Sequence, residues 1–381
     1  MNKRIPRERP FEYFRAKDGR TPLPEETVKN WYVARAFVLE RLKDISFPPG
    51  SDGHLHVTVD GDAPVMLAVL RQLALSAHYP NFVEYDSIHD RVCRNRSVLT
   101  LVSKKDAAGI TAEIGKAEYL CNLVKYCKCT VYGDVRNEDS FLDVELEITH
   151  EAAVDPNGIL FRQEDVTAFM QAARTDDVYS IDTRKAIFAD RAYRLGSDVD
   201  NIPYEGIFTA GRYNRALDTF RYRVLEDGPR DGGLVSSQWR NDFNAVRKGL
   251  SIILSADCFE SRELAMKQLC PGYDDLSLKK KKALWEKYNE ALSLSEHGRW
   301  TVEKLILGYA PLSQSQCLKY ESLFGKRRAA YCAGLKNDIT APAHLDICSF
   351  WDLRRIDPDN IKYDSFLMLA IPLILDKIRV V

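Results

Sequence analysis

The stretch from His54 to Ile148 limits the fold more than any other. Its opening run, HLHVTVDG, places Leu55, Val57 and Val59 at alternate positions, the period of a β-strand. Asp60-Gly61-Asp62-Ala63-Pro64 follows, then VMLAVLRQLALSA, which is apolar almost all round and reads as a buried helix. Asp62 is the expected N-cap of that helix, with Pro64 in its first turn. Ser97 to Val102 reads as a second strand, Ala112 to Cys127 as a helix and Cys129 to Tyr132 as a third strand. From Phe141 to Ile148 the alternation is clean. Leu142, Val144, Leu146 and Ile148 face one way and Asp143, Glu145 and Glu147 the other, as on a half-exposed strand or an edge strand. Strands separated by helices of these lengths imply a parallel sheet, so the expected class is α/β, with a Rossmann-like, doubly wound N-terminal domain.

The first strand-to-helix turn argues against a dinucleotide. A G-x-G-x-x-G pattern is absent there, and Gly61 is the single glycine. Asp60 and Asp62 would repel a pyrophosphate at the helix N-terminus. A magnesium ion would change that sign, but nothing in the sequence requires one.

With 381 residues the chain suits two or three domains. Residues 1–22 are basic and contain proline, as in an irregular arm, and Pro24 to Asp44 has helical spacing. Pro48-Pro49-Gly50-Ser51 breaks the chain. Further helices are expected over Pro156–Asp176 and near Ile187–Leu195, the latter with a basic face. Glu226 to Gly233, EDGPRDGG, is the clearest linker. The expected division is therefore 1–50, an arm and helix; 51–228, the α/β domain; and 233–381, a helical domain. Within the last, Trp239, Phe243, Val246 and Leu250 form an apolar stripe, and Lys279 to Lys282 open a helix.

In the helical part, SEHGRWTVEKLILGYAP (Ser295 to Pro311) reads as a helix closed at Gly308. At about 100° per residue, His297, Trp300 and Lys304 share one sector. Val302, Leu305 and Ile306 lie elsewhere and suffice to dock the helix, leaving the first sector free. A flat ring, an imidazole and an ammonium suit a planar anionic ligand. The plainer reading makes Trp300 core and Lys304 solvated surface.

The segment EHGRWTVEKLILGY resembles the signature helix of the RyR domain, the helical module repeated in ryanodine receptors and found in bacterial proteins. Downstream, His344-Leu345-Asp346-Ile347, Phe350-Trp351-Asp352-Leu353, Lys362-Tyr363-Asp364 and Ile371-Pro372 are similar to the rest of the family pattern. The resemblance covers about Lys279 to Leu375. It implies an adenine-type nucleotide bound beside the signature helix, stacked on Trp300 and flanked by His297 and Lys304, with His344 a weaker carry-over. Because such modules pair in the receptors, a homodimer is implied too. The company such domains keep points to bacterial signalling or phage defence.

Composition removes several classes. Lys and Arg number 54 against 55 Asp and Glu, so the formal net charge is -1 and duplex nucleic acid is not an expected partner. No window of about 18 apolar residues exists, so no membrane span is expected, and the chain is placed in the cytoplasm. The nine cysteines are scattered; Cys127 and Cys129, with Cys121 nearby, are read as buried thiols and not as a zinc site. His54 and His56 would share a strand face, but no third metal ligand can be named. Walker A, G-x-S-x-G and H-E-x-x-H patterns are absent, and no catalytic or metal residues are assigned. The expectation is a cytoplasmic nucleotide-type sensor with no certain cofactor. The alternatives are a nucleotide-processing enzyme with its site near Asp60 and Asp62, and a protein scaffold.

Overall fold

The computed structural model describes residues 7–8, 24–87, 90–117, 120–151, 158–173, 181–182, 254–338 and 341–379. The linker at 226–233, the apolar stripe at 239–250 and the basic helix near 187–195 lie outside the described residues.

The fold is α/β. After strand β1 (Arg7–Glu8) and helix α1 (Glu25–Leu42) come β2 (His56–Asp60), α2 (Pro64–Ser76), the hairpin β3 (Val83–Ser87) and β4 (Asp90–Arg94), and β5 (Ser97–Val102). Next are α3 (Ala107–Lys116), α4 (Leu120–Tyr126), β6 (Lys128–Val131), β7 (Asp134–Arg136), β8 (Val144–Thr149), β9 (Ile159–Arg162), α5 (Gln163–Ala172) and β10 (Ile181–Asp182). The main sheet has six strands in the order β7-β6-β8-β5-β2-β9. Five are parallel, and β7 pairs antiparallel to β6 at one edge.

Several local expectations change. Asp62 is not the cap of α2. Ala63 holds that position, and the Asp62 carboxylate instead accepts from the Ser103 hydroxyl and, at 2.9 Å, from Lys105 Nζ. The single helix expected over 112–127 is two, because Ala117 leaves helical geometry at ψ 120°. The helix expected from Pro156 begins instead with strand β9, and α5 follows directly from it. Arg7–Glu8, expected within an irregular arm, pair antiparallel with β10.

Strand β8 is not at an edge. It lies between β5 and β6, with Glu145 and Glu147 held by neighbours: Lys128 Nζ meets Glu145 at 2.9 Å, and the Thr100 hydroxyl donates to Glu147 at 3.0 Å. Its alternation reports a strand with one apolar and one polar side. Val57, Val59, Leu99, Leu101, Cys129, Val131, Leu146, Ile148 and Phe161 belong to one core with α1 to α5. The opposite face carries His56, Thr58, Thr100, Glu145, Glu147 and Lys128 together with the apolar Val98, Val102 and Leu160. Among the described residues no second apolar core forms there, and the described helices α1 to α5 all join the first core. The topology explains this. The crossovers β2 to β5 and β5 to β6 step the same way across the sheet, and right-handed connections then put their helices on one side.

The C-terminal part is mainly helical: α6 (Phe259–Leu269), α7 (Leu278–Lys287), α8 (Asn289–Ile306), α9 (Gln314–Glu321), α10 (Gly325–Lys336), α11 (Phe350–Ile356) and α12 (Ile361–Arg379). A short parallel pair interrupts it, β11 (Ala310–Pro311) with β12 (Ala343–His344). Helix α8 links two cores. Leu292 packs with α6, α7 and α12, whereas Val302, Leu305 and Ile306 are fully buried in the core of the sheet. Its end is a Schellman cap: Tyr309 N–H donates to Lys304 O at 2.9 Å and Gly308 N–H to Leu305 O at 3.0 Å, with Gly308 at φ +87°. Among the described residues, no helix is long and apolar enough to cross a membrane.

Candidate functional site

The structure brings His297, Trp300, Lys304 and His344 together. The first three lie on one side of α8, as their spacing requires. His344 arrives from β12, whose pairing with β11 sets Pro311 opposite His344 just beyond the end of α8. The Trp300 and His344 rings meet edge to face, centroids 4.8 Å apart. His297 lies nearly parallel to Trp300 at 6.1 Å, and Lys304 Nζ stands 5.4 Å over the indole. Tyr309 and Phe350 close the cluster, 6.1 Å from His344 and 5.6 Å from His297.

The sector expected to be free is largely occupied by the protein itself. His297 is 3% exposed; its Nε2 faces Cys348 O at 2.9 Å and its Nδ1 lies 3.4 Å from Asp364. Burial pulls the His297 pKa down, but the Asp364 carboxylate and the Cys348 carbonyl outweigh it and hold it above the ordinary value. Asp364 itself is raised, because burial disfavours its charge more than His297 favours it. His344, 8% exposed, behaves in the opposite way. Burial, then the charges of Lys336, Lys304 and His297, push it well below its ordinary value. The Asp346 N–H donates to His344 Nδ1 at 3.2 Å, which leaves the proton of the neutral ring on Nε2. No hydrogen-bond partner for that Nε2–H is found among the described residues. Trp300 is half-buried.

The other side of α8 carries a feature that periodicity did not single out. Arg262, Glu296, Arg299, Glu303 and Lys304 form a chain of alternating charge. Its links are Arg262 to Glu296 at 3.7 Å, Glu296 to Arg299 at 2.9 Å, Arg299 to Glu303 at 2.7 Å and Glu303 to Lys304 at 2.8 Å. All but Lys304 are buried. Burial raises the Glu303 carboxyl, but Lys304 and Arg299 overcome this and hold it below the ordinary range. The i, i+3 and i, i+4 spacing of Glu296, Arg299 and Glu303 is visible in the sequence. Their burial is not, since the same spacing serves a solvated helix.

Gly298 sits where α8 meets the sheet. A Cβ there would lie 2.5 Å from Asp143 Oδ1. Asp143 is itself buried and pairs with His78 Nδ1 at 2.9 Å.

The other sequence candidates do not assemble into a site. His56 Nε2 faces the Thr100 hydroxyl at 3.0 Å, whereas His54 is exposed. Among the described residues no group of three His, Cys, Asp or Glu is placed to hold a metal ion. All nine cysteines are free; Cys127 and Cys129 are buried, and burial raises the Cys129 thiol to about 11. Asp62, committed to Ser103 and Lys105, lies below the ordinary carboxylate range: burial works against this, and the two hydrogen bonds and the Lys105 charge prevail. No family model, curated protein or solved structure matches the chain.

Proposed function

We propose that this protein is a nucleotide-type ligand sensor whose site is the Trp300 cluster. The reading rests on one observation, the convergence of Trp300 and Lys304 from α8 with His344 from β12. A base stacks on the indole, displacing the Lys304 ammonium from the ring toward the ligand's phosphate. The His344 Nε2–H, a donor without a partner among the described residues, meets the same anion or a ring nitrogen. Lys336, whose charge is felt at His344, adds to the cationic rim. The resemblance to the RyR domain supports an adenine-type ligand and a homodimer, and the parallel sheet supports a Rossmann-like N-terminal part. A cytoplasmic location belongs to the same reading.

Calorimetric titration with AMP, ADP, ATP and cyclic AMP, paired with melting temperatures of the ligand-free protein, tests it. Trp300→Ala is expected to weaken binding by about 1–3 kcal/mol. Because the ring is only half-buried, the apo protein should lose less than the roughly 3–5 kcal/mol of a full core truncation. Absence of binding by any of the four nucleotides, or full affinity in the folded variant, would remove the site from this cluster.

A further inference from the structure

Helices α9 and α10 follow one another in a short helical arm, with Lys319 Nζ 5.0 Å over the Tyr331 ring. The arm contributes no residue to either core. Helix α10 has no buried residue, and Tyr320 is the one buried residue of α9. Residues 314–336 carry Lys319, Lys326, Arg327, Arg328 and Lys336 against the single carboxylate of Glu321, in a chain whose net charge is -1. Three of these cations, Lys326, Arg327 and Arg328, occupy the first turn of α10, which has no acidic residue and no side-chain cap. Cations at that end oppose the helix dipole and weaken the helix. An anionic partner reverses the sign of that effect. At the same end stands Phe324, 75% exposed, the most exposed large apolar side chain among the described residues. Its ring is backed by the Arg328 guanidinium at 5.4 Å, and that guanidinium is in turn fixed by Tyr320 at 4.5 Å and by a 2.7 Å bond from Nε to Leu323 O. The ring is thus a supported flat surface with a cationic border.

We propose that the 314–336 arm docks single-stranded nucleic acid, with Phe324 stacking on a base and Lys326 and Arg327 meeting the flanking phosphates. A stacking surface with cations beside it is what a single strand offers contacts to without sequence preference. A duplex hides its base faces, and the near-neutral charge of the whole chain does not favour it. Leu318, 62% exposed on α9, would serve an anionic membrane better than a base, and the test separates the two.

The experiment is fluorescence anisotropy of labelled 20-nucleotide oligo-dT and oligo-rU with the full chain at low salt. Binding is expected to weaken with salt at a slope of about -0.7 per phosphate neutralised. Phe324→Ala should lower affinity about 5- to 100-fold, the range for one lost base stack. K326E/R327E should abolish binding, and Leu318→Ser should leave it unchanged. All these side chains are exposed, so melting temperatures should match the wild type. The proposal fails if neither oligonucleotide binds, if a duplex of the same length binds as well, or if the Phe324 and Lys326/Arg327 variants bind normally. Capture by phosphatidylserine vesicles that Leu318→Ser abolishes, without oligonucleotide binding, would make a membrane the partner instead.

Discussion

His297 and His344 both pack against one tryptophan, yet their environments push their titrations apart. His297 is raised by Asp364, so its contribution to stability is complete below about 6.5, the unfolded value, and is lost as pH rises through the higher folded value. His344 is lowered by burial and by neighbouring cations. Its neutral form is favoured in the fold, so stability is complete above that unfolded value and falls as the pH drops below it. Stability from equilibrium unfolding between pH 5 and 9 should therefore decline on both sides of about 6.5. His344→Asn should flatten the acid limb and His297→Asn the alkaline one. Slopes that the two variants leave unaltered would assign the titration to other groups. The sequence placed both imidazoles near Trp300. It did not distinguish them, because the decisive partners, Asp364 and Lys336, arrive from α12 and α10.

Helix α8 shows how much one element can hide in its sequence. Val302, Leu305 and Ile306 announced the docking face, and all three are buried. Arg299, Glu296 and Glu303, which the periodicity did not single out, are equally buried. Their alternating order makes this tolerable, since each buried charge is matched by its neighbour. Arg299→Leu should leave Glu296 with Arg262 and Ser255, and Glu303 with Lys304, and cost about 3–5 kcal/mol, read as a lowered denaturation midpoint. Gly298→Ala tests a different property of the same helix. The added methyl would meet the Asp143 carboxylate, which His78 holds in place. A loss of about 1–3 kcal/mol is expected, typical of overpacking. An unchanged midpoint would mean that α8 does not rest on Asp143. Strand β8 carries the complementary lesson. Its alternation was legible, but an edge strand and an inner strand with one polar side show the same pattern.

At the scale of the molecule, α8 ties the helical part to the sheet, because one end of the helix completes the sheet's core. A fragment of residues 233–381 would expose Val302, Leu305, Ile306 and Leu307, all buried in the full chain. Such a fragment is expected to be helical by circular dichroism but to melt over a broader, lower range than the full chain. A sharp transition at the full chain's temperature would show that the sheet adds nothing to it. The sequence by itself determined the α/β class, the parallel order of strand and helix, the docking residues of α8 and its stop at Gly308. These follow from periodicity and local capping, which act within a few residues along the chain. Tertiary structure alone decided the strand order, the burial of the Arg262–Lys304 charge chain, and the meeting of His344 with Trp300 across more than forty residues of sequence. Each of these depends on which surfaces face each other. Side-chain spacing along one element carries no record of what lies opposite it.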